Sequence, residues 1–195
     1  LDTSRGLGDV YKRQAEKIIE NIKHKYNFEV NILSGHEEGI TTSIGVLHFM
    51  KKIENFLIVD IGGRSTEFIY ESDNRIISES FNLGVVTLTE KYFSNLPTHL
   101  NLIDDAQLEI ETELSGLNLN DSKNLIGVSG TALSLASIFL DQPKFDEEEL
   151  HGVNIDIQNV REINKKLLKM TEAEIITKFK GIDPNRAATI TSGIF

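Results

Sequence analysis

The stretch "VDIGGRSTEF", residues 59–68, places two glycines and two hydroxyl residues between an aspartate and a glutamate, at the end of an apolar run. Glycine weakens a strand interior, so a tight pair there marks a sharp bend or a close approach to the backbone. The run leading into it, "FLIVDI" (56–61), is continuous and apolar, as in a strand buried on both faces. Such a strand delivers Asp60 to its carboxyl end, where ligands of α/β sheets bind. Gly62 and Gly63 then present backbone N–H groups that no side chain shields. Ser65 and Thr66 add hydroxyl donors, which makes a cradle suited to phosphate oxygens. Asp60 and Glu67 supply hard carboxylate oxygens, the donors Mg²⁺ takes when it also bridges phosphates.

Two further segments extend this reading. "GVSGTA" (127–132) again follows an apolar strand pattern and opens a helix, with Thr131 expected at the cap, so its amides and the helix N-terminus favour an anion. "LSGHEEG" (33–39) puts Glu37 and Glu38 in a first helical turn, where acids ordinarily complement the macrodipole. Adjacent carboxylates on a helix point in different directions, so one can cap while the other faces a cleft. A glutamate kept ionised there positions and deprotonates water, which makes Glu38 a candidate general base. Taken singly, each segment also reads as an ordinary turn with solvated acids. Two phosphate-type turns in one acidic chain favour a site.

Outward from these segments the pattern is α/β. Residues 15–27 carry Ile18, Ile19, Ile22 and Tyr26 on one helical stripe, "FEVNIL" (28–33) alternates as a strand, and 36–52 read as a helix. "STEFIYE" and "RIISESFN" are strands joined by an Asp73-Asn74 turn, so three consecutive strands form a meander. Helical patterns cover 85–93, 104–114, 132–140, 156–170 and 171–179, the last with a "TEAE" capping box, and Asp183-Pro184 opens another. Residues 1–14 show neither periodicity and are set aside as a non-native or scar segment.

At 195 residues with 39% hydrophobic and 26% charged residues, the chain can bury a real core. It has no cysteine, which excludes disulfides and thiolate metal sites and fits a cytoplasmic location. A formal charge of −10 argues against nucleic-acid and anionic-membrane partners, so an anionic ligand needs a local site. The sequence contains no GxxxxGK[ST], GxGxxG or GxSxG, and His24, His36, His48, His99 and His151 lack metal-ligand spacing.

"ILSGHEEG", "LIVDIGGRSTEFI", "NLGVVTLTEKYF", "IGVSGTALSLASI", "HGVNI" and "DPNRAATITSG" follow one another as in the exopolyphosphatase and guanosine pentaphosphate phosphohydrolase (Ppx/GppA) family, which this chain resembles over residues 15–195. The resemblance implies an actin-like (ribonuclease H-like) phosphotransferase fold, with 15–42 as the end of lobe one and 43–195 as most of lobe two. It implies Glu38 and Glu67 as catalytic carboxylates and Asp60 and Glu67 as Mg²⁺ ligands. By the same resemblance Gly62, Gly63, Ser65, Thr66, Gly127, Ser129, Gly130 and Thr131 bind phosphate, and Arg64, within the first of these turns, is expected to add a guanidinium to the phosphate site. The implied reaction is Mg²⁺-dependent release of terminal phosphate from inorganic polyphosphate or guanosine pentaphosphate, by an enzyme with room for a homodimer. Arg64 replaces a usual third glycine, Ile40 stands where the family reads "EEAR", and the first-lobe "DxGS" turn is not found. These departures keep two rivals in view, a non-catalytic nucleotide or alarmone-binding module and another actin-like ATPase or kinase. A polyanion channel wants clustered cations, and Lys51, Lys52, Arg64 and Arg75 are the nearest in sequence.

Overall fold

The computed structural model describes residues 16–50, 53–117, 119 and 124–195, so the segment 1–14 and the pair Lys51–Lys52 lie outside the described residues. The chain divides into two units, Leu1–Ser34 and Gly35–Phe195. In the first, helix α1 (16–26) ends where Asn27 turns to φ 54°, its amide bonded to Lys23 O at 2.9 Å. The rings of Tyr26 and Phe28 stack beyond it, 6.4 Å apart. Residues 28–33, expected as a strand, run on without strand pairing. Alternation supplies only a face; a strand also needs a neighbour to complete its ladder, and no described strand pairs here.

The second unit begins with α2 (Gly35–Met50) and the sheet strands β1 (Phe56–Ile61), β2 (Thr66–Ser72) and β3 (Arg75–Phe81). Asp73 and Asn74, at φ 50° and 58°, take the paired left-handed conformation that matches a two-residue hairpin to the strand twist. Helix α3 (Val85–Leu88) continues as a π-type turn over Thr89–Phe93, and α4 (Leu100–Glu113) starts four residues earlier than its acidic stripe suggests. Strand β4 (Asn124–Val128) then pairs parallel to β1, giving the order β3-β2-β1-β4 with the other contacts antiparallel. Helices α5 (Ser129–Phe139), α6 (Glu147–Leu150), α7 (Ile157–Leu167), α8 (Glu172–Lys178) and α9 (Ile190–Ile194) follow.

Apolar burial gathers into three clusters. Phe56, Ile58 and Ile69 lie under Val46 and Leu47 of α2. Leu83, Leu88, Phe93 and Ala106 join the α3 and α4 region, and Ile138, Leu167, Ile175, Phe179 and Ile190 tie α5 to the terminal helices. The expected capping box is present: Glu174 N–H donates to Thr171 Oγ1 at 3.3 Å and Thr171 N–H to Glu174 Oε2 at 2.8 Å. Thr171→Ala removes one half of it and is expected to cost about 1 kcal/mol. In a chain of this size that is a fall of about 2–4 °C in melting temperature, read by calorimetry.

Candidate active site

Strand register assembles the acids. Asp60 of β1 stands opposite Glu67 of β2, which stands opposite Ser80 of β3, so the three share one row and one face of the sheet. Glu67 is 2% exposed and accepts a hydrogen bond from Ser80 Oγ at 2.8 Å. Asp60 Oδ1 accepts one from Ser129 Oγ across the β1–β4 junction. Helix α2 lies over the same face because small residues let it: a side chain at Gly35 would strike Ser80, and one at Gly39 would strike Ser78 and Ile69. His36 Nδ1 meets Ser78 O at 3.2 Å on the same side.

This seating brings Glu38 to the row. Partial burial and then the charges of Glu67 and Asp60 hold its carboxyl above the ordinary glutamate range. Negative charge gathered beside Glu38 in this way is what a cation or an acidic proton relieves.

The first glycine turn is docked onto α3. Gly62 N–H donates to Ser65 O at 2.9 Å, while Gly62 O and Gly63 O accept from Val85 N–H and Val86 N–H at 3.0 and 2.8 Å. Gly84 permits that docking, since a side chain there would fall on the backbone of Arg64. Arg64 keeps a negative φ, so arginine replaces glycine at that position without backbone strain. The amides of Gly63 and Ser65 bond to no other backbone group among the described residues, and Ser65 keeps its hydroxyl. Thr66 departs from the expected pattern: it is buried and its hydroxyl donates to Leu83 O, so it secures the turn from within.

The second turn corrects the expected cap. Helix α5 begins at Ser129 with Val128 as its uncapped boundary, and Ser129 itself makes the strand-to-helix reversal at φ 66°. That conformation is unusual for a side-chain-bearing residue and is the kind of strain found at functional sites. Thr131 is therefore inside the first turn, buried, with its hydroxyl 3.3 Å from Ile61 O. With no side-chain cap, the first amides of α5 remain available to an anion. Gly127 stays in the β4 ladder opposite Val59. The guanidinium of Arg186 lies against Gly130, where a methyl group would collide with it. Sequence reasoning missed this cation, because nothing in the spacing of "DPNRAATITSG" tells where the arginine reaches.

A family model for the Ppx/GppA phosphatase family matches residues 12–195. The chain belongs to that family. It is 29% identical over 184 residues to a bifunctional 3-dehydroquinate synthase/phosphatase of Fusobacterium nucleatum, covering 90% of this chain and 27% of that protein. It is 34% identical over 139 residues to a guanosine-5'-triphosphate,3'-diphosphate pyrophosphatase of Pseudoalteromonas translucida, covering 69% and 27%. A solved Ppx/GppA structure from Aquifex aeolicus superposes with a TM-score of 0.84 at 24% identity over 93% of this chain and 60% of that one. An exopolyphosphatase from Cytophaga hutchinsonii gives 0.68 at 22% identity, covering 92% and 60%. The fold of this Ppx/GppA chain is thus the actin-like one, and the chain spans about a quarter of these curated relatives and three-fifths of the solved chains. No helix of the described residues is long and apolar enough to cross a membrane.

Proposed function

We propose that this site belongs to a phosphoanhydride hydrolase that releases a terminal phosphate from inorganic polyphosphate or guanosine pentaphosphate. The observation that carries the reading is the row of Asp60 and Glu67 beside the two glycine turns, with Glu38 near enough for both charges to act on its carboxyl. Likeness to the Pseudoalteromonas pyrophosphatase supports the nucleotide branch, and likeness to the Cytophaga exopolyphosphatase supports the polyphosphate branch. In this reading residues 15–42 end one lobe and 43–195 form most of the other.

Each residue's part follows from its position. The amides of Gly63 and Ser65, the Ser65 hydroxyl and the first amides of α5 bind phosphate oxygens, with Arg186 adding positive charge beside Gly130. Ser129 and Ser80 hold Asp60 and Glu67 in orientation through one oxygen each. Glu38 orients the attacking water and accepts its proton.

Among the described residues no three His, Cys, Asp or Glu side chains form a ready cation cage. Mg²⁺ needs none, since it binds through one or two carboxylates and completes its shell with water and substrate phosphate. The donor type fits, and Asp60 and Glu67 would hold the ion. When bound, Mg²⁺ supplies charge neutralisation at the phosphates.

The test is phosphate release from both substrates with Mg²⁺, by this chain and by a longer polypeptide of its relatives' length that contains it. Release names the branch. Binding of either substrate to the folded longer protein without release would replace the hydrolase by a sensor. Asp60→Asn is expected to raise the Mg²⁺ concentration for half-maximal activity about tenfold, and an unchanged requirement would remove Asp60 from the ion. Arg186→Met keeps the aliphatic stem and is expected to weaken substrate binding by about tenfold or more, the loss of one charge-assisted contact. Calorimetric titration reads it, and unchanged affinity would exclude Arg186 from ligand contact.

A further inference from the structure

Behind the site, the two glycine turns are tied together by the segment that ends in α9. A 3-10 turn over Pro184–Arg186 carries the guanidinium that lies against Gly130, and Ile190–Ile194 form the helix that follows. Every residue of α9 is buried, and its sequence ITSGI carries no charge. A buried hydroxyl needs a partner. Ser192 Oγ finds partners far along the chain: it donates to Val85 O at 3.0 Å and meets Thr89 Oγ1 at 2.7 Å, with Thr189 O as a second acceptor at 2.8 Å. Val85 is also the residue whose N–H donates to Gly62 O at 3.0 Å. One residue of α3 therefore links the first glycine turn to α9.

The second turn meets α9 at the next residue. A side chain on Gly193 would lie 2.8 Å from Thr131 Cγ2 and 3.0 Å from Val85 Cγ1, so the backbone of α9 fills the space between α5 and α3. Thr131 Oγ1 reaches back to Ile61 O at 3.3 Å, and Ile61 precedes Gly62. The contacts close a ring through Gly62, Val85, Ser192, Gly193, Thr131 and Ile61. On the strand side, the spacing of the two turns is set by the parallel β1–β4 ladder, in which neighbouring strands stand about 4.8 Å apart. On the helix side it is set by what lies between α3 and α5, and Gly193 lies there.

We propose that Ser192 and Gly193 are positioning residues that fix the distance between the two glycine turns, and that this distance decides whether one ligand engages both. The inference rests on the phosphate-binding reading of those turns and adds the residues that space them. Alanine at 193 favours the helix itself, and Gly193 has no positive φ to forbid it. Its methyl group has to be accommodated by the neighbours, Thr131 moving out from 2.8 Å and Val85 from 3.0 Å to the 3.4 Å of ordinary contact. Both are β-branched residues on helices, where χ1 has little freedom, so the movement passes to α5 and α3. The turns carried there part by up to about 1 Å, a misplacement that costs about 100-fold where groups must act together.

The experiment titrates the ¹⁵N-labelled 195-residue chain with sodium tripolyphosphate, which offers linked phosphates to both turns, and with sodium orthophosphate, which fills one, at matched ionic strength. Amide shifts at 62–66 and 127–131 report the two turns. Gly193→Ala is expected to weaken tripolyphosphate binding about tenfold or more while orthophosphate affinity stays as in the parent. Ser192→Ala removes an atom and adds none, so it serves if Gly193→Ala does not fold, and it is expected to show the same split severalfold. Adding Val85→Ala to Gly193→Ala vacates space for the methyl group and is expected to restore most of the tripolyphosphate affinity. A purely structural role would lower both ligands together. An equal loss for the two ligands, or full tripolyphosphate affinity in the folded variants, would overturn the proposal. No saturable shift at either turn in the parent would overturn the phosphate reading of the turns, and the proposal with it.

Discussion

Glu38→Gln is expected to lower phosphate release by about 10²–10⁴-fold, the contribution of a positioned general base, while leaving the fold intact. The exchange is nearly isosteric and removes only the charge. The structure adds a second expectation. Burial, Glu67 and Asp60 all disfavour the ionised form of Glu38, so its carboxyl lies above the ordinary glutamate range. An acid whose folded-state pKa is raised takes stability away as pH rises through the window between its unfolded and folded values. Glutamine carries no charge and avoids that loss, so at neutral pH the variant should melt no lower than the parent. Activity in the parent requires ionised Glu38 and should fall as pH drops through the pKa of its carboxyl. The comparison is made on the longer polypeptide, by phosphate release against pH and by calorimetry. A variant that keeps more than a tenth of the activity removes Glu38 from the mechanism, and one that melts well below the parent shows that the carboxylate is structural.

What the sequence made legible was whatever depends on near neighbours in the chain. The run Phe56–Ile61, the Asp73-Asn74 turn and the Thr171–Glu174 box are each decided by a few adjacent residues, and each forms as expected. The pairing of Asp60 with Glu67 follows from the same locality, since a hairpin with a short turn sets its own register. Residues 28–33 carry the alternation of a strand, yet pairing depends on a partner far along the chain, and none is found among the described strands. Thr131 looked like a cap because threonine favours that role, whereas the reversal falls on Ser129, whose hydroxyl is drawn to Asp60 from 69 positions away. Thr66, Gly84 and Arg186 share the same character. Their roles are set by Leu83, Arg64 and Gly130, through approaches that no periodicity records.

Gly84→Ala is the sharpest test of such an approach. Gly84 has φ −102° and ψ 151°, an extended conformation that alanine adopts freely, so no backbone penalty attaches to the change. Its cost comes entirely from the methyl group, which would come within 2.2–2.3 Å of the N, Cα and C atoms of Arg64. A flexible side chain could swing away, but these are backbone atoms of a turn tied to α3 through Gly62 O and Gly63 O. Relief therefore requires moving the turn or α3, and overpacking of this kind costs about 3 kcal/mol or more. In a chain of this length that corresponds to a fall of about 6–12 °C in melting temperature. Gly45→Ala is the matched control. Nothing lies within 4 Å of a side chain there, and the position is inside α2, so alanine's helix propensity should stabilise by up to about 1 kcal/mol. The same substitution thus carries opposite signs at two glycines. Because Gly84 also supports the amides of Gly63 and Ser65, tripolyphosphate shifts at residues 62–66 should be lost in Gly84→Ala under conditions where the variant is still folded. A melting temperature within about 2 °C of the parent, or shifts at 62–66 that survive unchanged, would mean that the turn does not depend on this contact.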